Sequence, residues 1–237
     1  MKYLFLFIIF AVEMSLVYPF VKSMIPQKTN KSLLIKMICS TAFLSIGVLA
    51  KVFSENHGLY ALLIVTALFL AWIGDLLLGL NGSKAYFVIG GFFFLLTHLC
   101  FIAAFTYKSW QAFDEKHALG VFEILFSVVM LILFEIYNRK KKISLGKMHI
   151  PVLVYGLILT VMLAKSFVFS KSLFMNGETN AAILVLFGAL FFFISDFTLT
   201  YTILEEKRKT DVKYKFINSF SYFLGQSLMA FSILYIK

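Results

Sequence analysis

Charge is scarce in this chain. Only 14% of its 237 residues are Asp, Glu, Lys or Arg, against about 25% in ordinary soluble domains, which excludes a soluble globular fold with a charged surface. Proline occurs three times and cysteine twice. So few prolines leave long stretches free to run as uninterrupted helix. The cysteines, Cys39 and Cys100, each lie inside an apolar run and read as small packing residues; they exclude a disulfide framework and a thiolate metal site. Strand-period alternation is lacking, which argues against a β-barrel. No basic face interleaved with stacking aromatics lies outside the apolar runs, so the net charge of +10 does not read as nucleic-acid binding.

What is present is hydrocarbon. Hydrophobic residues make up 61% of the chain and the mean hydropathy is +0.90. Several runs reach the ~20 residues that span a bilayer as helix. The expected class is all-α: a polytopic membrane protein, one transmembrane domain over 1–237, with eight helices at about 2–17, 32–53, 58–80, 85–107, 117–137, 149–169, 180–204 and 214–236. The first is expected to stop before Pro19, because a residue preceding proline avoids the helical region, and to be retained as a helix, since no small-residue cleavage site follows it. Asn81-Gly82-Ser83 and Met175-Asn176-Gly177-Glu178 read as connections, and Pro151 falls in a first turn, where its missing N–H does no harm.

The basic residues gather in the loops after helices one, three, five and seven, most densely at Arg139-Lys140-Lys141-Lys142. By the positive-inside rule those loops face the cytoplasm and both termini face away from it. The expected setting is a bacterial inner membrane, with anionic headgroups beside the basic run.

Against this background two acids stand out. Trp72-Ile73-Gly74-Asp75 on helix three and Phe193-Ile194-Ser195-Asp196 on helix seven share a pattern, each placing a carboxyl in an apolar run. A charge in hydrocarbon costs at least ~2.5 kcal/mol, so intramembrane acids mark function by default. Phe94-Leu95-Leu96-Thr97-His98 on helix four likewise echoes Tyr222-Phe223-Leu224-Gly225-Gln226 on helix eight. Four helices separate the copies, which suggests a four-plus-four parallel repeat that brings Asp75 and Asp196 together. Both acids are expected roughly 8–12 Å inside the cytoplasmic face. Lys36, Tyr155 and Tyr222 belong to the same half of the bilayer, and His98 and Gln226 lie nearer its middle. Bland roles stand beside these: interhelical bonding for Tyr155, Tyr222, Gln226, Glu13 and Glu123, and snorkelling for Lys36 and Lys165.

Two carboxyls close together in low dielectric share a proton, giving one acid and one carboxylate. That suits hydrolysis through an oxocarbenium-like intermediate, with a nearby histidine to orient or relay. No ligand spacing calls for a metal or other cofactor.

The ordered set formed by Lys36, Gly74-Asp75-Leu76-Leu77-Leu78, Gly90, Thr97-His98-Leu99-Cys100, Pro151 to Tyr155, Gly188 to Asp196 and Tyr222 to Gln226 resembles the YhhN family of eight-helix membrane proteins, which includes the lysoplasmalogenases. The likeness runs from about Lys36 to the C-terminus. Met37 and Thr97 depart from the proline and glycine common at those places in the family. The resemblance implies hydrolysis of the vinyl ether of a lysophospholipid to a fatty aldehyde and a glycerophospho-headgroup. On that expectation Asp75, Asp196 and His98 are catalytic: the two acids form the acid–base pair, and His98 and Tyr155 position water or the ether oxygen. Lys36 holds the phosphate, and Tyr222 and Gln226 complete the substrate site.

The rival of a different class is a lipid-binding protein or proton-coupled transporter without catalysis, which parallel repeats and intramembrane acids also fit. An intramembrane aspartyl protease fits poorly: Trp72 stands where that pattern needs glycine, and no Pro-Ala-Leu follows.

Overall fold

The computed structural model describes residues 1–25, 29–54, 58–80, 83–113, 120–141, 143, 145–204 and 210–236. The expected turn at Asn81-Gly82, the acidic loop of Asp114 and Glu115, the predicted start of helix five at 117–119, Lys28, Lys116, Lys142, the charged segment 205–209 and Lys237 lie outside the described residues.

The described residues form eight long helices, α1 (Lys2–Ser23), α2 (Asn30–Phe53), α3 (Leu59–Gly79), α4 (Lys84–Phe113), α5 (Val121–Lys141), α6 (His149–Met175), α7 (Thr179–Leu204) and α8 (Val212–Ser232), with one 3₁₀ turn, Gly146–Met148, ahead of α6. Among the described residues there is no strand. Helix satisfies every backbone polar group within its own segment, as hydrocarbon requires. Among the described residues, seven helices are long and apolar enough to cross a membrane. The eighth, α8, falls short because it carries Asn218, Ser219, Ser221, Gln226, Ser227 and Ser232; apart from Asn218 these are buried. Its polarity therefore faces the protein: α8 packs on α7, α2, α1 and α3.

Local signals set several ends. Thr29 and Ser32 open α2 with a capping box, each hydroxyl accepting from the other's backbone N–H at 3.1 and 2.9 Å. Two bonds close α6, Gly177 N to Phe174 O at 3.1 Å and Glu178 N to Leu173 O at 2.9 Å. Gly177 supplies the left-handed residue, φ +81°, which this Schellman cap needs. The stop expected at Pro19 does not occur. α1 continues to Ser23, and Phe20 and Val21 beyond the proline are buried, Phe20 edge-on to Phe223 of α8. Burying those side chains outweighs the one helical hydrogen bond that proline removes, and transmembrane bundles often tolerate such a residue. α4 and α6 also run past their expected ends at 107 and 169, and Leu173 on the added turn of α6 is buried.

The helix pairing repeats. α1–α2, α2–α3 and α3–α4 correspond to α5–α6, α6–α7 and α7–α8, and the crossing of α2 on α8 corresponds to that of α6 on α4. The correspondence reaches single residues. Gly74 and Gly90 let α3 and α4 approach until a Cβ on either would stand 3.3 Å from the other's carbonyl oxygen. The equivalent places in α7 and α8 hold Ser195 and Asn218, joined by bonds from Asn218 Nδ2 to Ser195 O at 2.8 Å and Ser195 Oγ at 3.1 Å. Close packing in one half is replaced by a hydrogen bond in the other, and both fix the residue that follows: Asp75 after Gly74, Asp196 after Ser195.

Candidate active site

Asp75 is 1% exposed. Lys36 Nζ lies 2.9 Å from Asp75 Oδ1 and also donates to the Asp75 carbonyl at 3.3 Å. Ser40 Oγ and Tyr222 OH each donate to Oδ2 at 2.6 Å. A buried group that accepts from a cation and two hydroxyls is solvated by protein as a carboxylate. Lys36 and Ser40 reach it together because four residues is one helical turn. That spacing was the available signal for Ser40, which the sequence reading passed over. Lys36 neither snorkels nor stands free, since its ammonium is bound to Asp75.

Asp196 has a different set. His98 Nε2 lies 2.9 Å from Oδ2, Tyr155 OH donates to the same oxygen, and His98 Nε2 is 3.1 Å from the Tyr155 oxygen. Thr200 Oγ1 caps the Asp196 carbonyl at 2.9 Å. With the carboxylate as acceptor, Nε2 carries the hydrogen. The other ring nitrogen, His98 Nδ1, is buried without a hydrogen-bond partner. Phe192 packs on the imidazole with centroids 4.5 Å apart.

The two clusters adjoin. Tyr222 packs edge-on against Phe94 and Phe192, both at 5.7 Å, and Phe192 in turn touches His98. Each acid draws a partner from the last helix of the opposite half: Asp75 of α3 takes Tyr222 of α8, and Asp196 of α7 takes His98 of α4. No hydrogen bond joins Asp75 to Asp196 among the described residues; each carboxyl is satisfied by its own donors.

Gln226 sits one turn beyond Tyr222, fully buried, with neither amide atom bonded. Glu13 accepts from Ser227 Oγ through Oε2, while its Oε1 is buried and unpartnered. Lys165, expected to snorkel, is instead 1% exposed and 3.4 Å from Glu123 Oε1; Glu123 also accepts from Gly120 N at 3.0 Å. The correction follows from reach. α5 packs on α6 and supplies a buried carboxylate, so the ammonium turns inward to it. Among the described residues, no group of three or more His, Cys, Asp or Glu is arranged to hold a metal.

A protein of Dictyostelium discoideum described as a lysoplasmalogenase homolog is 28% identical over 203 residues, covering 76% of this chain and 65% of that protein. The chain thus matches just under two thirds of that relative's length. No solved structure matches. Residues 31–233, from the start of α2 to the end of α8 and with both acid clusters inside, match the YhhN family, and the chain belongs to it.

Proposed function

We propose that this integral membrane protein is a lysoplasmalogenase-like hydrolase that cleaves the vinyl ether of an alkenyl-lysophospholipid. The observation that carries the reading is the His98–Asp196–Tyr155 group, a buried imidazole oriented by a carboxylate with its second nitrogen unoccupied. Membership of the family and the name of the Dictyostelium relative support it.

Vinyl ether hydrolysis begins when a proton reaches the β-carbon, which leaves an oxocarbenium ion. Asp75 is neutralised by Lys36 and two hydroxyls, and Asp196 accepts from His98 and Tyr155. In this proposal neither is the acid. In this mechanism the imidazolium of His98 delivers the proton from Nδ1, and Asp196 holds the ring and stabilises its charge, the role of the carboxylate in a hydrolytic triad. The Asp196 carboxylate, which has no cation of its own once His98 has given up its proton, stabilises the oxocarbenium charge electrostatically. Neutral His98 then takes a proton from the attacking water. The hemiacetal collapses to aldehyde and glycerol hydroxyl, with one water consumed and the proton returned. This assigns acid and base to His98 in place of a proton shared between Asp75 and Asp196. Lys36, 15% exposed, leaves the Asp75 side partly open, on the side that the expected topology turns to the cytoplasm, and has donor capacity left for a substrate phosphate.

The test is aldehyde release by purified protein given an alkenyl-lysophospholipid and, separately, its acyl analogue. Aldehyde from the alkenyl lipid, lost in His98→Gln and Asp196→Asn, supports the reading. Fatty acid from the acyl lipid would make the protein a lysophospholipase. Lipid binding without product would make it a carrier.

A further inference from the structure

A second polar site, sharing no residue with the two acid clusters, lies where the chain turns from α5 into α6. A pocket of about 310 Å³ opens there, lined by Glu135, Asn138, Arg139, Gly146 and His149 among others. Asn138 is 4% exposed, and its Oδ1 and Nδ2 are both buried without partners. A dry amide with four unmade hydrogen bonds is destabilising unless something fills them. His149 Nε2 and Glu135 Oε1 lie 2.8 Å apart, fixing one wall. Arg139 is exposed at the rim. α5 and α6 are both long and apolar enough to span a membrane, so the turn between them lies at a membrane face. Leu133, Ile136, Ile150 and Val154 are exposed apolar residues on the two helices beside the pocket.

We propose that this pocket binds the headgroup of a membrane phospholipid whose phosphate is joined to a primary ammonium. Arg139 and Asn138 Nδ2 take the phosphate, and Glu135 with Asn138 Oδ1 takes the ammonium. The acyl chains lie along the exposed apolar faces. Two features select this ligand. Glu135 and Arg139 stand one helical turn apart with opposite charges, about 5–6 Å between their Cβ atoms, and a phosphoethanolamine group spans a similar separation with matching signs. The pocket also combines an unfilled acceptor with an unfilled donor, so a bare anion would satisfy only half of it. A quaternary ammonium has no N–H to give Asn138 or Glu135.

The proposal is tested on the full chain, purified in detergent and stripped of lipid. Thermal unfolding and native mass spectrometry are followed while phosphatidylethanolamine, phosphatidylglycerol, phosphatidylcholine or inorganic phosphate is added. The expected result is a saturable rise in unfolding temperature, with bound lipid, for phosphatidylethanolamine. Its apparent affinity falls at least tenfold in Arg139→Gln and in Asn138→Leu. Asn138→Leu, which removes the unbonded amide, leaves the lipid-free unfolding temperature unchanged or higher, so loss of lipid response cannot be mistaken for misfolding. Equal responses to phosphatidylglycerol or phosphatidylcholine would overturn the choice of headgroup. A full response to inorganic phosphate would overturn the lipid. Absence of any response, or one unchanged in both variants, would mean that water alone fills the pocket.

Discussion

Tyr222, on the last helix, donates a 2.6 Å hydrogen bond to Asp75, on the third. The bond crosses between the two halves of the chain and ends on a carboxylate already held by Lys36 and Ser40. Its donors do not contribute equally. Tyr222→Phe removes one charge-assisted bond and should lower stability by about 1–3 kcal/mol. Lys36→Met leaves a buried carboxylate without its cation and should cost about 3–5 kcal/mol. Denaturant unfolding of the two variants in the same detergent ranks them, and a Tyr222→Phe loss as large as that of Lys36→Met would refute the ordering.

The Asp196 group makes a prediction in turnover instead. Tyr155→Phe leaves His98 its hydrogen bond to the carboxylate and should reduce aldehyde release by roughly 10²–10⁴-fold or less, the range for one acid–base or positioning group. Asp196→Asn removes the negative charge that holds the imidazole in its tautomer and stabilises its protonated form, and should reduce release by about 10⁴, as the same change does in hydrolytic triads. Rates of the two variants on one alkenyl lipid decide; equal losses would mean that Asp196 does not act through His98.

Two glycines, Gly225 of α8 and Gly91 of α4, should respond oppositely to alanine. A Cβ on Gly225 would meet Gly188 O and Phe192 N, both at 2.9 Å and both backbone. Gly225→Ala should therefore push α7 from α8 and cost about 1–3 kcal/mol. Gly91, inside α4, has open space around a built Cβ, and Gly91→Ala should stabilise by about 0.5–1 kcal/mol through helix propensity alone. Unfolding temperatures of the pair check both signs.

The Lys165–Glu123 pair is buried on both sides. Removing one member, as in Lys165→Met, strands a charge and should cost about 3–5 kcal/mol, whereas Lys165→Met with Glu123→Gln should recover most of that loss. A double-mutant cycle in detergent measures the coupling, and additive losses would show that the pair contributes little.

Much of the architecture was legible because it depends on counts and spacing. Asp75 and Asp196 stood out because an acid in hydrocarbon is rare, and the matching of Phe94 through His98 with Tyr222 through Gln226 gave the repeat. Helix ends were less legible. Pro19 carries a strong local stop signal, but Phe20 and Val21 beyond it are buried by contacts that no local pattern reveals. Lys165 was misread for a related reason: an ammonium near a helix end snorkels only if no carboxylate faces it, and Glu123 is 42 residues away in the chain.

Composition and period by themselves determined the class, the eight helices and the identity of the intramembrane polar residues, because the bilayer imposes length and hydropathy on every span. They left undecided which donor goes to which acid. The tertiary structure gave the two expected carboxyls different donors, Asp75 with Lys36, Ser40 and Tyr222, and Asp196 with His98 and Tyr155. The reason is that hydrogen bonds reach only about 3 Å. Partners are chosen by the helices that pack together, and in this chain each acid takes donors from both halves, Asp75 from α2 and α8 and Asp196 from α6 and α4.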